Sequence, residues 1–355
     1  MAKVLMNGNS TIGEAAIRAG CQCYFGYPIT PQNELAEYMA THLSRKEGCS
    51  FVQAESEISA INMVFGASAV GARAMTSSSG PGISLKQEGI SFLAGCELPA
   101  VIVNMSRGGP GLGSISASQS DYFQATRGGG HGDYRTIVLA PSSVQELAEL
   151  THRAFDLADN YKIPVVILGD GMLGQMMEPV EFAHKAPDKL PVRSNALRGA
   201  RGRPSKVIKT FTSNASELEE INWSLFRRYQ LIQREETTCE TFLVDDAELL
   251  VVAFGIAARI ARGAIKTVRS MGLKVGMLQP VTLWPFPSPQ LAELTASVKN
   301  ILVFELNMGQ MIDDVKLAVN GAAEVFFYGR PGGVVPAPSE VARVISRHYY
   351  QKGLK

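Results

Sequence analysis

The chain has 355 residues, with 34 Lys and Arg against 33 Asp and Glu, so its net charge of +1 offers no basic field for nucleic acid and no acidic one for a basic partner. That length suggests two or three domains with ample capacity to bury a core. The five cysteines, Cys21, Cys23, Cys49, Cys96 and Cys239, contain no C-x-x-C pair, which argues against a disulfide framework and against a zinc or iron–sulfur site built by this chain alone.

No apolar run of signal-peptide length opens the sequence, and the most apolar segment, Leu249 to Ala258, is too short to cross a bilayer; a soluble, cytoplasmic protein with no membrane contact is expected. In chain order, residues 11–20 predict a helix closed by Gly20, and Gln22 to Tyr27 a short strand ended by Pro28. Thr30 is placed as the N-cap of the next helix, with Pro31 at its first position and Leu35, Met39 and Leu43 as its apolar stripe. Gln53 to Met75 reads as one helix, with a stripe of Ile58, Ile61, Met63, Val64 and Phe65 followed by small residues that permit close packing. Two carboxylates, Glu55 and Glu57, stand at its start. Either both are first-turn acids favoured by the helix dipole, or one is a buried acid kept for chemistry.

A strand from Arg73 then breaks into a Ser/Gly/Pro turn and a second amphipathic helix, and Pro99 to Met105 reads as a strand covered on both faces, as in a parallel sheet. That strand delivers Ser106 and Arg107 into a long glycine-rich loop that also holds Arg127 and His131. Loops leaving the carboxyl ends of strands in open α/β sheets carry ligands, so each basic residue there is either a ligand contact or a solvated charge. Thr136 to Ala140, a helix over Ser143 to Tyr161 and a strand over Ile163 to Leu168 continue the β-α-β rhythm. The expected organisation is an α/β parallel-sheet domain over 1–191, a connector over 192–246 that lies across a surface, and a smaller α/β domain over 247–355. Gly169-Asp170-Gly171 followed by Asn195 imitates a metal site, but the stretch between is proline-interrupted and lacks a following strand, so no metal ligand is assigned.

Six blocks, GYPITPQNE at 26–34, QAESE at 53–57, SRGGPGLG at 106–113, APSSVQE at 140–146, AFGIAAR at 253–259 and TLWPFP at 282–287, together resemble the alpha subunit of a 2-oxoacid:ferredoxin oxidoreductase. The 2-oxoisovalerate (3-methyl-2-oxobutanoate) type is the nearer branch and the 2-oxoglutarate type its neighbour. The resemblance implies a thiamine-diphosphate-binding pyrimidine domain followed by a smaller transketolase-C-terminal-like domain. It implies oxidative decarboxylation of a 2-oxoacid to the acyl-CoA, with coenzyme A as co-substrate and ferredoxin as acceptor. A beta subunit would hold the diphosphate, Mg2+ and a [4Fe-4S] cluster, and gamma and ferredoxin-like delta subunits are further expected partners. Block matching places Glu57 on the pyrimidine ring nitrogen, Tyr27, Pro28 and Ile29 along the cofactor, and Thr30 and Arg107 on the substrate carboxylate. Two other readings stay open at this point. One is a non-catalytic interaction subunit in which Glu57 is merely structural, and the other a self-sufficient thiamine enzyme using Asp170.

Overall fold

The computed structural model describes residues 3–184, 190, 193–194 and 196–354. The first unit runs β1 Val4–Asn7, α1 Gly8–Arg18, β2 Cys23–Gly26, α2 Asn33–His42, β3 Ser50–Gln53, α3 Glu57–Ala69, β4 Ala74–Ser78, α4 Pro81–Gly95, β5 Ala100–Ser106, α5 Tyr122–Arg127, β6 Ile137–Leu139, α6 Val144–Tyr161, β7 Pro164–Asp170, α7 Gly171–Gln175 and β8 Met177–Val180. After α8 Ala215–Glu235 come β9 Cys239–Phe242, β10 Leu249–Val252, α9 Gly255–Ser270, β11 Val275–Pro280, β12 Thr282–Trp284, α10 Ser288–Leu294, β13 Asn300–Glu305, α11 Met311–Val319, β14 Glu324–Gly329 and α12 Pro338–Gln351.

The larger sheet has the order β12-β6-β7-β5-β4-β2-β3, parallel except for β12, and the second has the order β14-β13-β10-β11-β9, parallel except for β9. Every residue of β5 and β7 is buried, as the continuous apolar runs require of strands with helices on both faces. The two units exchange an edge. Thr282 to Trp284 leave the second unit to pair with β6, while β9, in the stretch expected as connector, joins the second sheet beside β11. Helix α8 lies across the first unit, burying Leu225, Tyr229 and Ile232, one stripe at i, i+4 and i+7.

Two expectations are corrected. The stretch 53–75 is not one helix: it is the end of β3, an extended Ser56 whose hydroxyl caps Ser59 N, α3, and then β4. Helix α3 stops because Gly71 takes φ +95, a conformation that L side chains avoid, and a Cβ there would lie 2.9 Å from the Ala196 Cβ. Thr30 and Pro31 do not start α2 either; Gln32 occupies its N-cap with no side-chain bond. Pro31 O instead accepts from Asn9 Nδ2 at 2.8 Å and Gln175 Nε2 at 3.2 Å, which draws residues 27–31 into a loop over the strand ends.

Candidate active site

Strands β2 and β4 are neighbours whose following helices lie on opposite faces of the sheet: α1 packs with α2 and α6 on one side, α3 with α4 on the other. The chain therefore parts at the carboxyl ends of β2 and β4, which opens a crevice of the kind where open α/β sheets bind ligands. Into it run the loops after β2, β3, β4 and β5. They bring together most of the residues singled out from sequence.

Glu57 is the first residue of α3 and only 6% exposed, so it is not a solvated first-turn acid. Glu55 is the exposed one; the Ser59 hydroxyl donates to it and holds its carboxyl below the usual range. No protein donor reaches the Glu57 carboxylate among the described residues, although buried polar groups ordinarily find a partner. Gly82, in the first turn of α4, leaves the room beside it: a Cβ there would stand 2.5 Å from Glu57 Oε1 and 2.2 Å from Ser78 Oγ.

Arg107 is 6% exposed and is met by the β2–α2 loop, Nη1 donating to Thr30 O at 2.9 Å and Nη2 to Leu112 O at 3.0 Å. Its Nε is buried without an acceptor among the described residues, as are the Ser78 and Ser79 hydroxyls without a partner. Thr30, Tyr27 and Pro28 are exposed and Ile29 half-buried along the rim. Arg127 is not in the crevice: it pairs with Asp314 of α11 at 3.2 Å and stacks on Phe123. His131 is exposed.

Above Arg107 lies a cavity of about 470 Å³ walled by the glycine-rich loop Gly108 to Gly111, by Asp121, and by Asn307, Met308 and Gln310 of the second unit. Gln119 fixes the junction, donating to Phe254 O at 2.7 Å and accepting from Leu306 N at 2.9 Å. Glu305, fully buried, accepts from the backbone N–H groups of Gln310, Met311 and Ile312 and so terminates the loop that carries Asn307 and Met308. Burial pushes the Asp121 carboxyl up, against a bond from Asn104 Nδ2 at 3.0 Å.

Sequence reasoning missed Asp121 and also Lys86, a fully buried lysine of α4 whose Nζ donates to Glu57 O at 3.4 Å. The available signal was spacing: Gly82, Lys86 and Gly89 fall at i, i+4 and i+7, one helix face bearing a cation between two glycines. Asp170 has a structural task. Its Oδ1 accepts from Met172 N and Leu173 N, both at 3.0 Å, as the N-cap of α7, and burial pushes it up to about 6. Asn195, its matched residue in the imitated motif, lies outside the described residues. Among the described residues no three His, Cys, Asp or Glu side chains are grouped to hold a metal ion, and no helix is long and apolar enough to cross a membrane.

The family model for the thiamine-diphosphate-binding region of pyruvate flavodoxin/ferredoxin oxidoreductases matches residues 14–236, and that for pyruvate:ferredoxin oxidoreductase core domain II matches residues 247–341. The chain belongs to this oxidoreductase family. It is 50% identical over 333 residues, 94% of either chain, to the ketoisovalerate oxidoreductase subunit VorB of Methanothermobacter thermautotrophicus. It is 36% identical to the 2-oxoglutarate synthase subunit KorA of Methanothermobacter marburgensis, over 96% of this chain and 97% of that one. Among solved structures it is similar to a 2-oxoglutarate:ferredoxin oxidoreductase from Magnetococcus marinus with 2-oxoglutarate, coenzyme A and succinyl-CoA bound. That likeness has a TM-score of 0.84 at 27% identity and covers 98% of this chain but 65% of the other. A split-gene transketolase, at 14% identity and TM-score 0.59, shares the fold alone. These findings bear out the family resemblance and the α/β architecture read from the sequence, and make the chain one subunit of a multi-subunit oxidoreductase.

Proposed function

We propose that this chain contributes one wall of a thiamine diphosphate site for the oxidative decarboxylation of a 2-oxoacid to its acyl-CoA with reduction of ferredoxin, and that branched-chain 2-oxoacids are its substrates ahead of 2-oxoglutarate. The relatives named for ketoisovalerate, at 48–50% identity, against 36% for those named for 2-oxoglutarate, support that order. The observation that carries the reading is Glu57: a carboxylate that is buried, at a topological switch point, and with no hydrogen-bond donor among the described residues.

The residues fit the cofactor. A carboxyl group without a protein partner in a crevice is what a ring nitrogen needs, and Gly82 keeps the space beside it clear. When bound, thiamine diphosphate would supply the carbanion and the electron sink for decarboxylation. This chain's own work is to hold and move a proton at Glu57 Oε1, to line the cofactor with Tyr27, Pro28 and Ile29, and to orient the substrate carboxylate. Arg107 serves the last task by a charge-assisted bond from its unpaired Nε, with Thr30, whose carbonyl Arg107 already holds, offering its hydroxyl as a second donor. The diphosphate, Mg2+ and a [4Fe-4S] cluster belong to a beta subunit, with gamma and delta subunits completing the complex.

The test is Glu57→Gln in the assembled complex, followed by viologen reduction with 2-oxoisovalerate, 2-oxoglutarate and pyruvate in turn. An amide cannot exchange the proton, so kcat should fall by about 100-fold or more. Turnover like that of wild type would remove Glu57 from the site.

A further inference from the structure

Helix α4 meets α3 along a face of Gly82, Lys86 and Gly89. Gly82 lies against the Glu57 carboxyl, and a Cβ on Gly89 would stand 2.6 Å from Ile61 Cγ2, so the two glycines bring the helices to backbone distance at both ends of this contact. Lys86 stands between them, fully buried, with Nζ on Glu57 O at 3.4 Å. A lysine is almost never this buried unless paired, and an apolar residue would close the same helix contact without the cost of desolvating an ammonium. What the cation adds is a fixed positive charge at the base of Glu57.

We propose that Lys86 is the positioning residue for Glu57: it clamps the first turn of α3 through the Glu57 carbonyl and biases the proton shared by the Glu57 carboxyl and the cofactor's ring nitrogen toward the nitrogen. This rests on the function proposed above. The bias follows from charge: an ammonium beside the Glu57 backbone favours the carboxylate over the neutral acid, and with the cofactor bound that carboxylate would favour a proton on the ring nitrogen. Burial pushes the Lys86 ammonium down to about 8, with the Glu57 charge opposing that shift, so the charge is lost within the range of ordinary assays. Of the elements packed against α4, α3 brings Glu57, and β7 brings Asp170, which is engaged in its own helix cap; Glu88 of α4 is exposed.

The experiment compares wild type, Lys86→Arg and Lys86→Met in the complete multi-subunit complex loaded with thiamine diphosphate. Wild-type kcat should fall as pH rises through about 8. Lys86→Arg, which stays charged, should keep turnover and move that limb above pH 10. Lys86→Met should lower kcat by about 10- to 100-fold below pH 8 with KM unchanged, the scale of a misplaced catalytic group, and the gap to wild type should close as pH rises above 8. A readout without turnover is the near-ultraviolet circular dichroism of the bound aminopyrimidine, titrated in the absence of substrate: its midpoint should shift in Lys86→Met and be restored in Lys86→Arg. If Lys86→Met fails to assemble, wild type against Lys86→Arg decides, and an unmoved basic limb together with an unmoved midpoint overturns the proposal. Full turnover in Lys86→Met overturns it too, and if Glu57→Gln is inactive in the same series, the functional reading survives that loss. A wild-type complex that turns over no 2-oxoacid removes both.

Discussion

An added methyl group would have opposite consequences at a glycine of α4 and one of α3. On Gly82 it would meet Ser78 Oγ and Glu57 Oε1, both buried against the sheet, whereas on exposed Gly66 in α3 it would meet nothing within 4 Å. Gly82→Ala should therefore displace the acid and cut kcat by about 10- to 100-fold. Gly66→Ala should leave kcat alone and raise stability by about 0.5–1 kcal/mol, the helix-interior difference between the two residues. Turnover and thermal midpoint measured on both variants separate the effects, and equal turnover would show that the Gly82 contact does not position Glu57. Arg107→Ala should act mainly on KM, since a lost charge-assisted bond is worth roughly 1.5–3 kcal/mol; an unchanged KM would return Arg107 to the role of a brace for the Thr30 and Leu112 carbonyls. Glu57 and Arg107 could be picked out from sequence because each sits in a recognisable block. Lys86 and Asp121 could not, since a lone charge in a helix or a serine-rich loop reads as solvated. Their burial is decided by α3 packing on α4 and by Gln119 holding the second unit, contacts made far along the chain.

Helices and strands were legible where one period persisted and illegible where small residues blurred it. The strand runs at 99–105 and 163–168 and the helix at 143–161 are found within a residue or two of their expected limits, because each is long, apolar on the right spacing and bounded by Pro, Gly or a capping Ser. The stretch 53–75 was misread because its Ala and Gly residues suit a helix throughout, while the stop at Gly71 depends on a positive φ. Edge strands β9 and β12 had no local signal; three or four residues acquire strand character only from distant partners. The cap of α7 offers a test at this scale. In Asp170→Asn the amide oxygen can still accept from Met172 and Leu173, so turnover should match wild type, whereas a metal ligand at that position would not survive the change. The sign of the pH effect follows from the shift. Because the folded carboxyl is raised from 3.8 to about 6, its contribution to stability is present below pH 4 and is lost as pH rises through 6. The thermal midpoint of Asp170→Asn should accordingly gain on wild type between pH 4 and 6.5. A gap that narrows over that range would contradict the burial argument.

At the scale of the molecule, two largely parallel sheets exchange an edge strand, and a crevice opens at the carboxyl ends of the strands of the larger one. The sequence blocks revealed both units, but not the exchange, because pairing of β12 with β6 spans more than a hundred residues. Around the crevice stand apolar side chains that a lone subunit leaves in water: Met308 is 83% exposed, Leu112 79%, Ile115 62% and Met172 42%. They lie on the loops that wall the cavity or abut it and on the first turn of α7, since Gly171 rests on Ile115 O and Gly111 lines the cavity beside Met308. A concentration of this kind marks a contact surface. The thiols point the same way. Cys21, Cys23 and Cys49 sit at the amino-terminal edge of β2 and β3, the far side of the sheet from Glu57, and burial pushes all three up, away from the thiolate form that an iron–sulfur cluster requires. We therefore expect the chain expressed alone to show no viologen reduction, and to gain it on addition of a cluster-bearing beta subunit through an interface exceeding about 2,000 Å². Leu112→Asp and Met308→Asp should each weaken that association by placing an unpaired charge in a dry contact, while leaving the thermal midpoint of the isolated chain within about 0.5 kcal/mol of its stability. Sedimentation of the mixed subunits measures the association and the viologen assay the activity. Decarboxylation by the isolated chain would overturn the division of the site between two subunits and return Asp170 to consideration as a metal ligand.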